Sequence, residues 1–268
     1  MGRVWVGLVA AVLVAAPVQG QVRWERGGEG WCDQERGGRG QERVCEAFTA
    51  RMRSPGSLRV DADPNGGIQV TSWSGTDVEV VATVSANAAT EERAQELAAA
   101  IQVAWEGSRL SADGPRTGRR EGWSVSYEIK VPANTDLDLR TVNGGINVEG
   151  VSGDIQFEAV NGSIHLARVG GDVRGTTTNG GLNIELDGAQ WSGTGLDAET
   201  TNGGVTVFIP QGYSAELETG TVNGGFDLDF PITVKGRIGH TLRTTLGDGG
   251  PAIRAVTTNG GVRITRGG

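Results

Sequence analysis

The sequence predicts a mostly β protein: a parallel β-solenoid of eighteen-residue coils, each made of two nine-residue strand–turn units, preceded by an α/β portion with one helix. Three observations carry this. Glycine supplies 45 of 268 residues, about one in six against roughly 7% in ordinary globular chains, with only 8 prolines and no G-x-y period. Turn glycines recur nine residues apart through the C-terminal half. Between them, aliphatic and polar residues alternate in runs too short for helices.

The first twenty residues form a separate segment. Arg3 is followed by an apolar run from Val4 to Ala16, then Pro17 and Val18-Gln19-Gly20. That is the layout of a secretory signal peptide cut before Gln21, and the run is short of the roughly 20 residues a spanning helix needs. The expectation is an exported protein of the periplasm, cell surface or extracellular space, with no transmembrane segment after cleavage. Cutting there removes one Arg and no acid, so the charge becomes 23 − 32 = −9. An acidic chain without a basic cluster argues against nucleic acid and anionic membranes as partners. The chain has two cysteines, Cys32 and Cys45, and in an oxidising compartment they are expected to pair as a disulfide.

Residues 21–56, rich in Gly, Arg and Glu, show no period of 2 or 3.6 and are read as a flexible leader tied by the cysteine pair. Strand-like alternation begins at Leu58 and recurs at Ile68-Gln69-Val70 and Val78-Glu79-Val80, on either side of turns at Pro64–Gly67 and Trp73–Asp77. One helix is expected from Thr90 to about Glu106. Thr90 can cap it, Glu91 and Glu92 suit its positive end, and Ala94, Leu97, Ala98, Ile101 and Trp105 form one face, with Gly107 as terminator. Strands around Leu110 and from Trp123 to Val131 complete the 57–132 portion; the repeat region occupies 133–268.

From Val142 consecutive units read VNGGINVEG, VSGDIQFEA, VNGSIHLAR, VGGDVRGTT and TNGGLNIEL. The pattern resumes as TNGGVTVFI at Thr201, VNGGFDLDF at Val222 and TNGGVRITR at Thr258. Asn-Gly corners alternate with Gly-Asp corners, so the coil is eighteen residues with two strands and two turns. Asn-Gly and Gly-Asp are expected to supply the positive φ of a sharp corner. Ile146 and Val148 should point inward while Asn147 and Glu149 point out, with Ile155 and Phe157 facing them from the opposing strand. Stacked coils about 4.8 Å apart would align Asn143, Asn161, Asn179, Asn202, Asn223 and Asn259 as a structural amide ladder. Thr141, Thr177, Thr200, Thr221 and Thr257 would form a second column beside it.

These T-x-N-G-G-[IVLF]-x-[VIL] units, with Val131-Pro132, the helix and the earlier Asn65-Gly66-Gly67, resemble the bacterial putative-adhesin family, an exported β-strand-repeat domain of unknown function. The resemblance covers about residues 57–266. It implies a cell-envelope protein used for adhesion or surface scaffolding, with a cell-surface glycan or envelope protein as partner, and it brings no catalytic residues.

No catalytic residue, cofactor or metal site is expected. His165 lies at an outward strand position and His240 in the insertion before the last unit, neither beside a nucleophile, and phosphate-loop and dinucleotide signatures are absent. Two alternatives are a carbohydrate-active solenoid using Glu149, Glu185, Asp227 and Asp229 as acid and base, and an envelope-stress protein sensing a small ligand. Asp154 and Asp172, with Asp77 as a looser third, are the only candidates for a calcium edge.

Overall fold

The computed structural model describes residues 22–27, 30–34, 40–229 and 240–266. The signal-peptide reading of residues 1–20 lies outside them. Among the described residues no helix is long and apolar enough to cross a membrane. The chain is mostly β, as its periodicity predicts, and two large sheets of eleven and ten strands enclose one core.

The N-terminal part corrects two expectations. Residues 21–56 are not simply an aperiodic leader. β1 (Glu25–Arg26) pairs with β2 (Glu42–Arg53), which runs antiparallel to a later strand over its whole length. Both faces of β2 are partly covered, so no inside–outside contrast is imposed on its sequence. Phe48 and Met52 pack on the main core, while Val44 packs on the helix cluster. A short 3-10 turn, Trp31–Gln34, is held close by the Cys32–Cys45 disulfide and by the Trp31 N–H, which donates to Thr83 Oγ1 at 3.1 Å.

Next come β3 (Ser57–Asp61), β4 (Ile68–Trp73) and β5 (Asp77–Ala88), then α1 (Glu91–Ala100). Thr90 caps the helix, its hydroxyl accepting from the Arg93 N–H at 3.3 Å, and Ala94 and Leu97 bury against Ala86 and Ala88. The helix ends at Ala100, six residues earlier than predicted, because Ile101 is already extended (φ −77°, ψ 133°). Gln102–Glu106 is a strand, β6, paired antiparallel with β7 (Arg109–Asp113). Gly107 (φ 58°) is thus the first residue of a two-residue hairpin loop rather than a helix stop. The hairpin buries Trp105 in the main core, beside Trp24. β8 (Gly122–Pro132) then runs between β5 and β4.

The solenoid follows as β9 (Asp136–Asn143), β10 (Ile146–Glu149), β11 (Ile155–Asn161), β12 (Ile164–Ala167), β13 (Asp172–Asn179), β14 (Leu182–Glu185), β15 (Gly195–Asn202) and β16 (Val205–Ile209). β17 (Ala215–Asn223), β18 (Phe226–Leu228), β19 (Thr241–Leu246), β20 (Ala252–Asn259) and β21 (Val262–Arg266) complete it. Each coil puts one strand in the ten-stranded sheet, turns at an Asn-Gly corner, and puts the next in the eleven-stranded sheet. Ile146 pairs with Ile164, Ile164 with Leu182, and Ile155 with both Leu137 and Val173. Inward Ile146, Val148, Ile155 and Phe157 are all at most 3% exposed. Each such side chain contributes about 1.5–3 kcal/mol by leaving water, a gain only stacked neighbours can supply. The coil of β3 and β4 stacks directly on β9 and β10, so the parallel ladders begin well before residue 133.

Two features depart from a simple stack. The last coil does not come last: β20 lies between β15 and β17, and β21 between β16 and β18. Residues 252–266 are thus wedged into the interior of the solenoid. Second, six of the seven Asn-Gly corner glycines are not there for positive φ, the seventh being Gly260 at 159°. Gly66, Gly144, Gly162, Gly180, Gly203 and Gly224 all lie outside the left-handed region. A Cβ on any of them would sit 1.8–2.1 Å from a carbonyl oxygen of the adjacent strand or coil. Close stacking of backbone on backbone demands glycine there. Among the Gly-Asp corners the φ argument holds for Gly171 (92°) and not for Gly153, whose Cβ would meet the Thr135 carbonyl at 2.3 Å.

Candidate functional site

The Asn-Gly edge is a continuous side-chain ladder. Asn143 Nδ2 donates to Asn65 Oδ1 (2.9 Å), Asn161 to Asn143, Asn179 to Asn161 and Asn202 to Asn179 (each 2.9 Å). Asn259 then donates to Asn202 (2.8 Å) and Asn223 to Asn259 (2.7 Å). All six residues singled out in the sequence stand in one row, with Asn259 ahead of Asn223 because of the wedged coil. Asn65 opens the row; its Asn-Gly-Gly context was the signal for it. Alongside, the hydroxyls of Thr141, Thr177, Thr200, Thr257 and Thr221 donate at 2.7–2.8 Å to the carbonyls of Gly66, Gly162, Gly180, Gly203 and Gly260. Ala159 occupies the same register as Thr141 and Thr177 and leaves the one gap in that column. This edge consumes its own hydrogen-bonding groups and explains architecture.

The broad outer face of the ten-stranded sheet is different. One cross-strand row runs Arg59, Asp138, Gln156, Arg174, Asp197, Arg254, Glu218, Arg243, each in register with the next. Charge sign alternates along it, with Gln156 as the single neutral step. Arg254 Nη1 reaches Asp197 at 2.5 Å and Arg243 reaches Glu218 at 3.0 Å, whereas Arg174 turns to Asp172 in its own strand with two contacts of 2.8 Å. Arg140 donates to Asp138 at 3.1 Å, a bond that holds its guanidinium pKa above the ordinary value. Exposed pairs of this kind add little to stability. Their regular sign alternation therefore matters for what the face can meet more than for stability.

An open groove of about 450 Å³ crosses this row at its neutral step, with Gln156, Glu158, Gly175, Thr176, Glu199 and Arg254 among its lining residues. Gly175 takes the place of an inward side chain beside Phe157. A Cβ there would fall 2.2 Å from the Phe157 carbonyl and 2.5 Å from its ring. The row lies in the strands that precede each Asn-Gly corner, where the outward residue changes type from coil to coil. The eighteen-residue step from Asp138 to Gln156 to Arg174 was the available signal.

The carboxylates considered for glycoside chemistry do not converge. Glu149 and Glu185 lie in β10 and β14, with β12 between them, so about 9–10 Å of sheet separates them. Arg168 reaches back from the end of β12 to pair with Glu149 and approaches Glu185 at 3.8 Å. Asp227 is three strands beyond Glu185 and bonded to Arg263 at 2.9 Å, with Asp229 two residues further along. His165 stands between Asn147 and Asn183 in register, and His240 Nδ1 lies 3.2 Å from the Thr221 carbonyl. Of the calcium candidates, Asp172 is held by Arg174 and Asp77 by Arg51 (2.8 Å). The Asp154 N–H is bonded to Asp136. Among the described residues no three His, Cys, Asp or Glu side chains are grouped to hold a metal ion.

A family model described as Toastrack DUF4097 matches residues 124–265. No curated protein matches the sequence. Among solved structures, the chain is similar to a putative cell adhesion protein from Clostridium sporogenes ATCC 15579 (11% identity, TM-score 0.40), with 85% of this chain and 100% of that one covered. It is also similar to a putative adhesin from Bacteroides fragilis NCTC 9343 (14% identity, TM-score 0.30), with 82% and 96% covered.

Proposed function

We propose that this chain, which belongs to the Toastrack DUF4097 family, is an exported, non-catalytic surface protein whose solenoid presents a rigid adhesion or scaffolding face to an envelope partner. The observation that carries the reading is the sign-alternating row on the ten-stranded sheet, from Arg59 to Arg243, crossed by the open groove at Gln156 and Gly175. A repeat of about 4.8 Å per strand on a stiff slab suits an extended partner that itself repeats, such as a glycan, a wall polymer or a surface protein. Export is supported by the signal-peptide layout of residues 1–20 and by the Cys32–Cys45 disulfide, a bond that persists in oxidising compartments. A non-catalytic role is supported by the separation of Glu149 from Glu185 and by the cation between them.

The test is capture from envelope extract by immobilised residues 21–268, with polysaccharide and protein fractions assayed separately. The reading expects retention of one fraction without turnover, weakened at least tenfold by Arg254→Glu together with Arg174→Glu. Release of shortened saccharide, abolished by Glu149→Gln, would replace it with the enzymatic alternative.

A further inference from the structure

An asparagine followed by glycine readily loses its side-chain amine, because no Cβ on the glycine hinders attack by its backbone nitrogen on the asparagine Cγ. The chain carries seven Asn-Gly pairs, Asn65-Gly66 and the six of the ladder. In six of the seven the attacking nitrogen is already engaged. The N–H groups of Gly66, Gly144, Gly162, Gly180, Gly203 and Gly260 each donate at 2.9–3.1 Å to an asparagine carbonyl of the adjacent coil. The asparagine before each of those glycines also has its Oδ1 occupied, accepting from the next side-chain amide in the row at 2.7–2.9 Å. Both groups that must move for the reaction are therefore held.

The seventh pair, Asn223-Gly224, ends the row and is held less. Among the described residues the Gly224 N–H has no acceptor and the Asn223 Oδ1 has no donor. Two bonds remain to Asn223: its Nδ2 donates to Asn259 Oδ1 at 2.7 Å, and its carbonyl accepts from the Gly260 N–H at 3.1 Å. Strand pairing past this corner is sparse. β18 has one neighbour in its sheet, β21, and the β17–β19 pairing stops at Gly220. Asn223, Gly224 and Gly225 are exposed, and Val222 beside them is 55% exposed, so water reaches the corner freely.

We propose that Asn223 is a site of spontaneous deamidation, and that the ladder protects the other six asparagines from the same reaction. The Gly224 nitrogen bonds to Asn223 Cγ, the Cγ–Nδ2 bond breaks, and the amine departs as ammonia with the proton from Gly224. One water then opens the resulting succinimide at either carbonyl. The product is aspartate, or an isoaspartate whose main chain runs through Cγ. With an acid at 223 the donor to Asn259 is gone and a carboxylate faces the Asn259 oxygen, where like partial charges repel. Isoaspartate also lengthens the link between β17 and β18. Either product loosens the terminal coil, so this end of the solenoid ages while its interior keeps its amides. The reaction is independent of what the outer faces bind.

The experiment incubates the folded protein in mildly alkaline buffer and follows all seven Asn-Gly peptides by mass spectrometry, beside the same protein held unfolded in urea. In the folded protein Asn223 should convert at least tenfold faster than any other corner, with isoaspartate among the products. In urea the seven should convert at similar rates. Conversion at Asn223 no faster than elsewhere in the folded protein, or the same preference for Asn223 in urea, would overturn the proposal. Hydrogen exchange of the aged protein should show Phe226–Asp229 losing protection while Ile164–Ala167 keep theirs. Asn223→Ser protein, aged alongside and compared with its own fresh sample, should show no such loss; an equal loss there would overturn the link between the modification and the loosening.

Discussion

Gly180 and Gly181 are neighbours in one corner, yet alanine at the first and serine at the second should have opposite outcomes. A Cβ on Gly180 would lie 2.1 Å from the Gly162 oxygen, 2.4 Å from its carbon and 2.8 Å from the Ser163 nitrogen, all backbone. Ordinary contact begins at 3.4 Å, so the two coils must part locally by about 1.3 Å. That displacement strains three bonds at the corner: Gly162 N–H to Asn179 O (3.0 Å), Asn179 Nδ2 to Asn161 Oδ1 (2.9 Å) and Thr177 Oγ1 to Gly162 O (2.8 Å). At about 1 kcal/mol net for each bond, Gly180→Ala should cost about 3 kcal/mol. With a urea m-value of about 3 kcal/mol/M, the unfolding midpoint falls by about 1 M at unchanged m. For Gly181 the nearest atom is the Gly204 oxygen at 3.3 Å, and Ser163 already stands at the equivalent place. Gly181→Ser should therefore stay within about 0.5 kcal/mol of the parent. Equal midpoint shifts for the two variants would refute the claim that coil spacing, rather than backbone dihedral freedom, dictates these glycines.

Four further outcomes follow from the same geometry. Ala159→Thr should complete the threonine column by donating to the Gly144 carbonyl and raise stability by about 1 kcal/mol, seen as a higher urea midpoint. Ile253→Ala, at a fully buried position in the wedged coil, should cost about 2–5 kcal/mol, and hydrogen exchange should show residues 215–223 losing protection before residues 137–167. Reducing the Cys32–Cys45 disulfide should cost about 3 kcal/mol and release the Trp31–Gln34 turn, so amide protection at Trp31 should fall. Burial pushes the Glu128 pKa upward, and its Oε1 has no hydrogen-bond partner among the described residues. The folded state thus holds that proton more tightly than the unfolded chain, and Glu128 in its charged form weakens the fold as pH rises through the range above 4.5. Glu128→Gln should accordingly stabilise at pH 7 and lose that advantage as the pH falls below the carboxylate range, measured by denaturation at several pH values.

The corners and the core were legible because stacking allows few residue types at fixed intervals. Asn for the ladder, glycine for the close approach and Ile or Val for the interior each leave a periodic trace, and family membership was legible from the same units. The order of coils left no such trace. TNGGVRITR and TNGGVTVFI place the same kinds of side chain inward, so either could stack next to β14, and only tertiary packing decides which coil is wedged. β2 was illegible because the Trp31–Gln34 turn and α1 help to cover it, which removes the alternation that marks a half-exposed strand. Helix propensity in Ala98–Ala100 concealed the change to β6, where the hairpin turn at Gly107 and the burial of Trp105 outweigh local preference. Glu149 and Glu185 were correctly placed on one face, but Arg168 between them belongs to the end of a unit, where the repeat varies most.

The stacking order can be read directly from nuclear Overhauser contacts between asparagine side-chain amides, which stand about 4.8 Å apart in adjacent coils. The contacts are expected to run 143–161–179–202–259–223, with Asn259 touching both Asn202 and Asn223. A direct contact between Asn202 and Asn223, or no contacts among these amides at all, would contradict it.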